Sequence, residues 1–112
     1  EIEQVVINLI NNSIDAIKNY DERWIKISVT ELESDIMLQI QDSGRGLTED
    51  VADKLFQPFF TTKIVGEGTG LGLSIVKGIL DDHNAQIHLN RNFANTCFEI
   101  KFEKYKEVQN AD

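Results

Sequence analysis

At 112 residues, 41% of them hydrophobic and 27% charged, the chain has the make-up of one globular domain and not of a fibrous, collagenous or disordered protein. Asp and Glu outnumber Lys and Arg by 19 to 11, a net charge of -8, which opposes non-specific attraction to nucleic-acid phosphate or anionic lipid. Its single cysteine, Cys97, cannot form an intrachain disulfide and fits a reduced, cytoplasmic setting, and no apolar run reaches the roughly 20 residues of a membrane span.

The opening residues "EIEQVV" lack the basic-then-apolar design of a signal peptide. They are already helix-periodic with no preceding cap, so the chain reads as a piece of something longer. Ile2, Val5, Val6, Leu9, Ser13, Ala16 and Ile17 recur at three- and four-residue spacing, which predicts an amphipathic helix ending near "KNYDE". Asn8, Asn12, Asp15 and Asn19 form a second, polar stripe on the same helix.

Two alternating runs follow, "WIKISVTE" and "DIMLQIQD", each predicted to be a strand with one buried face and joined by a hairpin connection at "LESD". "TEDVADKLF" has Thr48 as N-cap and acidic residues in its first turn, where they suit the helix dipole. The next segment, "QPFFTTKIVGEGTG", holds the only proline and three of the seven glycines. A loop of this length is uncommon unless it is functional. "LGLSIVKGILDDH" returns to helical spacing, and "AQIHLNRN" and "NTCFEIKFEKY" alternate as a closing pair of strands. Residues 1–105 form the expected domain, and 106–112 a polar C-terminal tail. The order predicts an α+β fold, a mostly antiparallel sheet with about three helices on one face.

Three stretches carry chemistry. Asparagine costs about 0.5 kcal/mol against alanine inside a helix, so three of them in "NLINNSIDAI" call for a compensating contact. Asn8 and Asn12, at i and i+4, point the same way out of the helix, and paired amide oxygens suit Mg²⁺ beside a polyphosphate. A solvated pair is the plainer alternative. "DSGRGL" ends a strand. Asp42 there can accept from the exocyclic NH₂ of adenine, where guanine offers an acceptor, and Gly44 and Gly46 permit a tight turn. "GEGTGLGLS" fits neither a Walker loop nor G-x-G-x-x-G, but free backbone NH groups before a helix make an anion site.

In this order, "EQVVINLINNSIDAI", "DSGRGL", "KLFQPFFTTK" and "GEGTGLGLSIVKGIL" resemble the N box, first glycine box, F box and second glycine box of the catalytic ATP-binding domain of bacterial sensor histidine kinases. That domain shares the Bergerat fold, a two-layer α/β sandwich with a mobile ATP lid, with gyrase, Hsp90 and MutL. The resemblance runs from Glu1 to about Glu103. It implies ATP and Mg²⁺ as ligands, with Asn12 on the metal, Asn8 as the second amide and Asp15 close by. It implies that Asp42 binds adenine, that Gly44, Gly46 and Leu47 pack near the base, and that Thr96 supports the same contact.

The same resemblance makes 57–68 the lid, anchored by Phe59 and Phe60. Thr62 and Lys63 then face the terminal phosphates, with Lys63 and Asn8 as the catalytic positions. Gly68, Thr69, Gly70, Leu71, Gly72 and Leu73 line the triphosphate. The implied partners are a separate dimerisation and histidine-phosphoacceptor domain and, indirectly, a response regulator, with no nucleic acid and no membrane contact.

Departures from the pattern sharpen this reading. Many relatives carry Lys and Tyr where Asp15 and Ala16 stand, a variant resembling the nitrogen-regulation subgroup. Asn84 replaces the glycine usual after the long helix, a substitution that tolerates the left-handed conformation. The strand expected before the N box is absent. Hydrolytic relatives place a glutamate base four residues before the Mg²⁺ asparagine, and Asn8 cannot take a proton. An ATPase, a serine kinase of the superfamily and a non-catalytic nucleotide module are the competing readings. Neither His83 nor His88 has the setting of a phosphoacceptor, Arg45 is expected in an ion pair, and Lys77 is expected to be solvated.

Overall fold

The computed structural model describes residues 2–57 and 72–104. Its elements are α1 (Ile2–Ile17), β1 (Ile25–Glu31), β2 (Asp35–Asp42), α2 (Glu49–Lys54), α3 (Gly72–Asp82), β3 (Gln86–Leu89) and β4 (Cys97–Glu103). The four strands make one sheet in the order β1-β2-β4-β3, and every pairing is antiparallel. The β1–β2 hairpin closes through the Leu32 amide donating to the Asp35 carbonyl at 2.8 Å.

The register fixes which side chains share a face. Ile40 of β2 stands opposite Phe98 of β4, Leu38 opposite Ile100, and Ile100 opposite Ile87 of β3. This face packs against Val5 and Leu9 of α1 and Val76 and Leu80 of α3, all four fully buried. Burial of each such side chain is worth about 1.5–3 kcal/mol. The other face carries Gln39, Glu99 and His88 in one cross-strand row. The result is the predicted two-layer α+β arrangement.

Local signals explain the element ends. Thr48 adopts an extended conformation and its Oγ1 accepts from the Val51 amide at 3.3 Å, capping α2. At the end of α3, Asn84 has φ 56°. The Ala85 amide donates to the Leu80 carbonyl at 2.8 Å and the Asn84 amide to the Asp81 carbonyl at 3.2 Å, which is the Schellman pattern with Asn in glycine's place. Ala85 and Leu80 both lie in the core, so the cap also aims β3 into the sheet.

Two expectations are corrected. Ala16 was placed in the apolar stripe of α1, but it is exposed, and the buried set is Val5, Leu9, Ser13 and Ile17. Those four follow i, i+4 spacing alone, so the covered stripe is narrower than the apolar pattern. In β1 the alternation is right but the face is not buried. Ile27 and Val29 stand opposite Ile40 and Leu38, yet are 49% and 69% exposed. β1 is one of the two edge strands of the described sheet, and the helix layer reaches only Ile25 of its apolar row.

Candidate functional site

The polar stripe of α1 runs beside its buried stripe. Asn8 and Asn12 are half-buried, whereas Asp15 is exposed. One helical turn separates the two amides on one flank of α1, as the spacing requires.

The end of β2 carries the next of the expected groups. Asp42 is the last residue of that strand and is 2% exposed. Its amide donates to the Thr96 carbonyl at 3.0 Å, and its Oδ1 accepts from the Gly44 amide at 2.7 Å. Ser43 is clamped on the other side: its amide donates to the Trp24 carbonyl at 3.0 Å, and its Oγ accepts from the Trp24 amide at 3.1 Å. The backbone at Asp42 and Ser43 is therefore pinned from both sides, to the residues leading into β4 and β1, and the carboxylate itself is held by the turn that follows it. It retains more acceptor capacity than the single bond to Gly44 uses.

Both glycines of the turn have a steric reason. A β-carbon on Gly44 would meet Asp42 Oδ1 at 2.6 Å and Thr96 Oγ1 at 3.2 Å. Gly46 has φ 81°, and a β-carbon there would lie 2.8 Å from the Ala94 carbonyl oxygen. The turn thus packs backbone to backbone against the β3–β4 loop, as glycine alone allows. A groove of about 220 Å³ opens between Gly46, Leu47, Phe93, Ala94 and Thr96. Leu47 is 39% exposed at its edge, and Thr96, 8% exposed, sits just before β4.

The structure therefore brings together Asp42, Gly44, Gly46, Leu47 and Thr96, and carries Asn8, Asn12 and Asp15 on α1. Gly72 begins α3, and Leu73 packs against the core. Phe59, Phe60, Thr62, Lys63, Gly68, Thr69, Gly70 and Leu71 lie outside the described residues.

Other expectations resolve as follows. Arg45 does not take the predicted ion-pair role but sets its guanidinium 5.5 Å from the centroid of the Tyr20 ring, a cation–π contact. Lys77 bonds Asp81 at 3.3 Å one turn along the exposed side of α3. His83 donates from Nδ1 to the Ile79 carbonyl at 2.8 Å, and His88 donates from Nε2 to Glu99 at 2.7 Å, so both have structural partners.

Sequence reasoning missed Asn95, whose Nδ2 donates to the Gly44 carbonyl at 3.0 Å. It also missed Glu99, 6% exposed, which accepts from Gln39 at 2.6 Å and Asn90 at 2.8 Å as well as from His88. Burial pushes the Glu99 carboxyl up, but the hydrogen bonds from Asn90, Gln39 and His88 outweigh it and hold it below the usual carboxylate range. Burial, with the Glu99 and Asp42 charges, pushes the Cys97 thiol up. The asparagine-rich run "NRNFANT" was the one available sign of these contacts.

Among the described residues no group of three His, Cys, Asp or Glu could hold a metal ion, and no helix is long and apolar enough to cross a membrane. The donors at hand are the neutral amides of Asn8 and Asn12. They fit a hard cation whose remaining ligands are phosphate oxygens and water, and they do not fit an all-protein metal cage.

Comparison with known proteins covers nearly the whole chain. The family described as "Histidine kinase-, DNA gyrase B-, and HSP90-like ATPase" matches residues 1–106. The C4-dicarboxylate transport sensor protein DctB of Rhizobium meliloti is 36% identical over 103 residues, 92% of this chain and 16% of that protein. Sporulation kinase A of Bacillus subtilis is 35% identical over 93% of this chain and 17% of that protein. The chain thus spans less than one fifth of these relatives. The solved catalytic domain of histidine kinase ThkA superposes with a TM-score of 0.77 at 36% identity, over 92% of this chain and 66% of that one. ThkA in complex with the response regulator TrrA gives 0.74 at 30% identity, over 94% of this chain and 29% of that one.

Proposed function

The chain belongs to the histidine kinase-, DNA gyrase B- and HSP90-like ATPase family, and from that premise we propose that it binds Mg²⁺-ATP and presents the γ-phosphoryl group to a histidine on a separate dimerisation and phosphoacceptor domain. The observation that carries this reading is Asp42, a buried carboxylate at the end of β2 whose Oδ1 accepts from the Gly44 amide and whose backbone amide donates to the Thr96 carbonyl. A carboxylate held there accepts from the adenine NH₂ and disfavours guanine, which offers an oxygen at the same place.

The remaining residues divide the work. Asn12 would hold the metal and Asn8, the second amide, would help orient the phosphates from α1; the metal would supply neutralisation of charge on the transferring group. Gly46 and Leu47 border the base, and Gly72 and Leu73 lead α3 away from the phosphate end. Lys63, with Thr62, faces the terminal phosphate, Phe59 anchors the lid, and Gly68, Thr69, Gly70 and Leu71 line the triphosphate. Asn8 stands where a hydrolase needs a proton acceptor, so positioning rather than water activation is the task of this site. A cytoplasmic location for this domain, the acceptor on another domain of the parent and a response regulator downstream complete the scheme.

Calorimetric titration tests it. Mg²⁺-ATP is expected to bind, GTP to bind more weakly, and Asp42→Asn to remove the preference. Equal heats for ATP and GTP, or an unchanged preference in Asp42→Asn, would sink the reading.

A further inference from the structure

The loop between β3 and β4 touches the Asp42 turn at three points. The Thr96 carbonyl accepts from the Asp42 amide, the Ala94 carbonyl backs Gly46, and Asn95 Nδ2 donates to the Gly44 carbonyl. At its other end the loop is tied down by Asn90. The Asn90 amide donates to the Cys97 carbonyl at 2.8 Å, and its Nδ2 donates to the buried Glu99 carboxylate. Its Oδ1 accepts from the Asn92 amide at 2.9 Å, so one side chain joins the sheet to the loop interior. Glu99 is in turn fixed by Gln39, three residues before Asp42 on β2.

We propose that Asn90 and Asn95 form a strap that holds the 90–96 loop on the 42–46 turn, and that Asn95 is a positioning residue for adenine recognition by Asp42. Gly44 is the residue whose amide holds Asp42 Oδ1, and the peptide carbonyl of the same residue is held by Asn95, so both groups of Gly44 are committed. Releasing the carbonyl frees the turn to rotate and carries the amide away from Asp42. A displaced carboxylate loses a directional bond to the base while contacts to the phosphates, made elsewhere, are untouched.

The role in recognition rests on the nucleotide reading above, whereas the strap itself does not, and two readouts on the 112-residue chain separate them. The first is amide hydrogen exchange at Gly44 without nucleotide, in wild type, in Asn95→Asp, which keeps the shape but loses the donor, in Asn95→Ala, which adds no charge, and in Asn92→Ala, whose side chain holds no part of the strap. Exchange at Gly44 is expected to rise about tenfold in both Asn95 variants, the worth of one hydrogen bond, and to stay at the wild-type rate in Asn92→Ala. An unchanged rate in the Asn95 variants overturns the strap.

The second readout is the affinity for ATP and for inorganic tripolyphosphate. ATP binding is expected to weaken about tenfold in the Asn95 variants, with tripolyphosphate binding unchanged. Faster exchange with unchanged ATP affinity, or an equal loss for both ligands, overturns the positioning role. A wild-type chain with no preference for ATP over GTP overturns the nucleotide reading, and this role with it, while Gly44 exchange still decides the strap.

Discussion

The place of a β-carbon on Gly44 lies 2.6 Å from Oδ1 of Asp42, so the smallest side chain and the buried carboxylate would occupy adjoining space. Because Asp42 is buried and its Oδ1 is committed to the Gly44 amide, the carboxylate has no free route out of a methyl group's way. Gly44→Ala is expected to weaken ATP binding at least tenfold, a cost of about 1.4 kcal/mol, and calorimetric titration beside wild type reads it.

Gly46 and Gly78 are expected to respond in opposite directions. At Gly46 an alanine meets both a φ of 81° and the Ala94 carbonyl at 2.8 Å, a backbone collision added to the about 1–2 kcal/mol of left-handed strain. Gly78 is exposed within α3 with open space around it, so Gly78→Ala gains helix propensity of up to about 1 kcal/mol. Urea unfolding midpoints of the two variants check both signs.

The Glu99 carboxyl is held below its ordinary value in the folded chain by its three donors. A group with a depressed folded pKa contributes stability above its unfolded pKa, about 4.3, and loses it as pH falls through the folded value. Wild type is thus expected to weaken as acid is added below about pH 4.3, and Glu99→Gln to be less stable at neutral pH but flatter across that window. Urea titrations at several pH values give the slopes, and equal slopes would remove Glu99 as the cause.

Cys97 is 1% exposed and its thiol is pushed up by burial and by the charges of Glu99 and Asp42. Thiolate is the reactive species, so a thiol reagent is expected to leave the folded chain unlabelled over the time in which it fully labels the chain in urea. Fast labelling of the native chain would show that β4 opens.

How much of this could be read from the sequence depends on whether the cause was local. Thr48 and Asn84 act through their own backbone neighbours, and both caps were legible. The i, i+4 set Val5, Leu9, Ser13 and Ile17 was legible for the same reason, even with a serine in it. Alternation in β1 tells which residues share a face, but not whether anything lies over that face, and so the exposure of Ile27 and Val29 escaped. Glu99, Gln39 and His88 meet only through strand register, with partners up to 60 positions apart, and no local pattern encodes register. Asp42 and the two glycines stand out locally as a carboxylate and a tight turn at a strand end, and again as a family motif, while Asn95 reaches the same turn from 51 residues away.

The uncovered apolar row of β1 bears on how the chain behaves in concentrated solution. Eight net negative charges keep copies apart in dilute buffer, but at about 1 M salt that repulsion reaches only about 3 Å. What then faces a neighbouring molecule is Ile27 and Val29 beside an edge strand, a surface suited to pairing with its like. Light scattering is therefore expected to rise with salt rather than fall, and a lysine in place of Val29 to suppress the rise. Colloidal behaviour is then expected to depend on this seam of the sheet as well as on the charge of the whole.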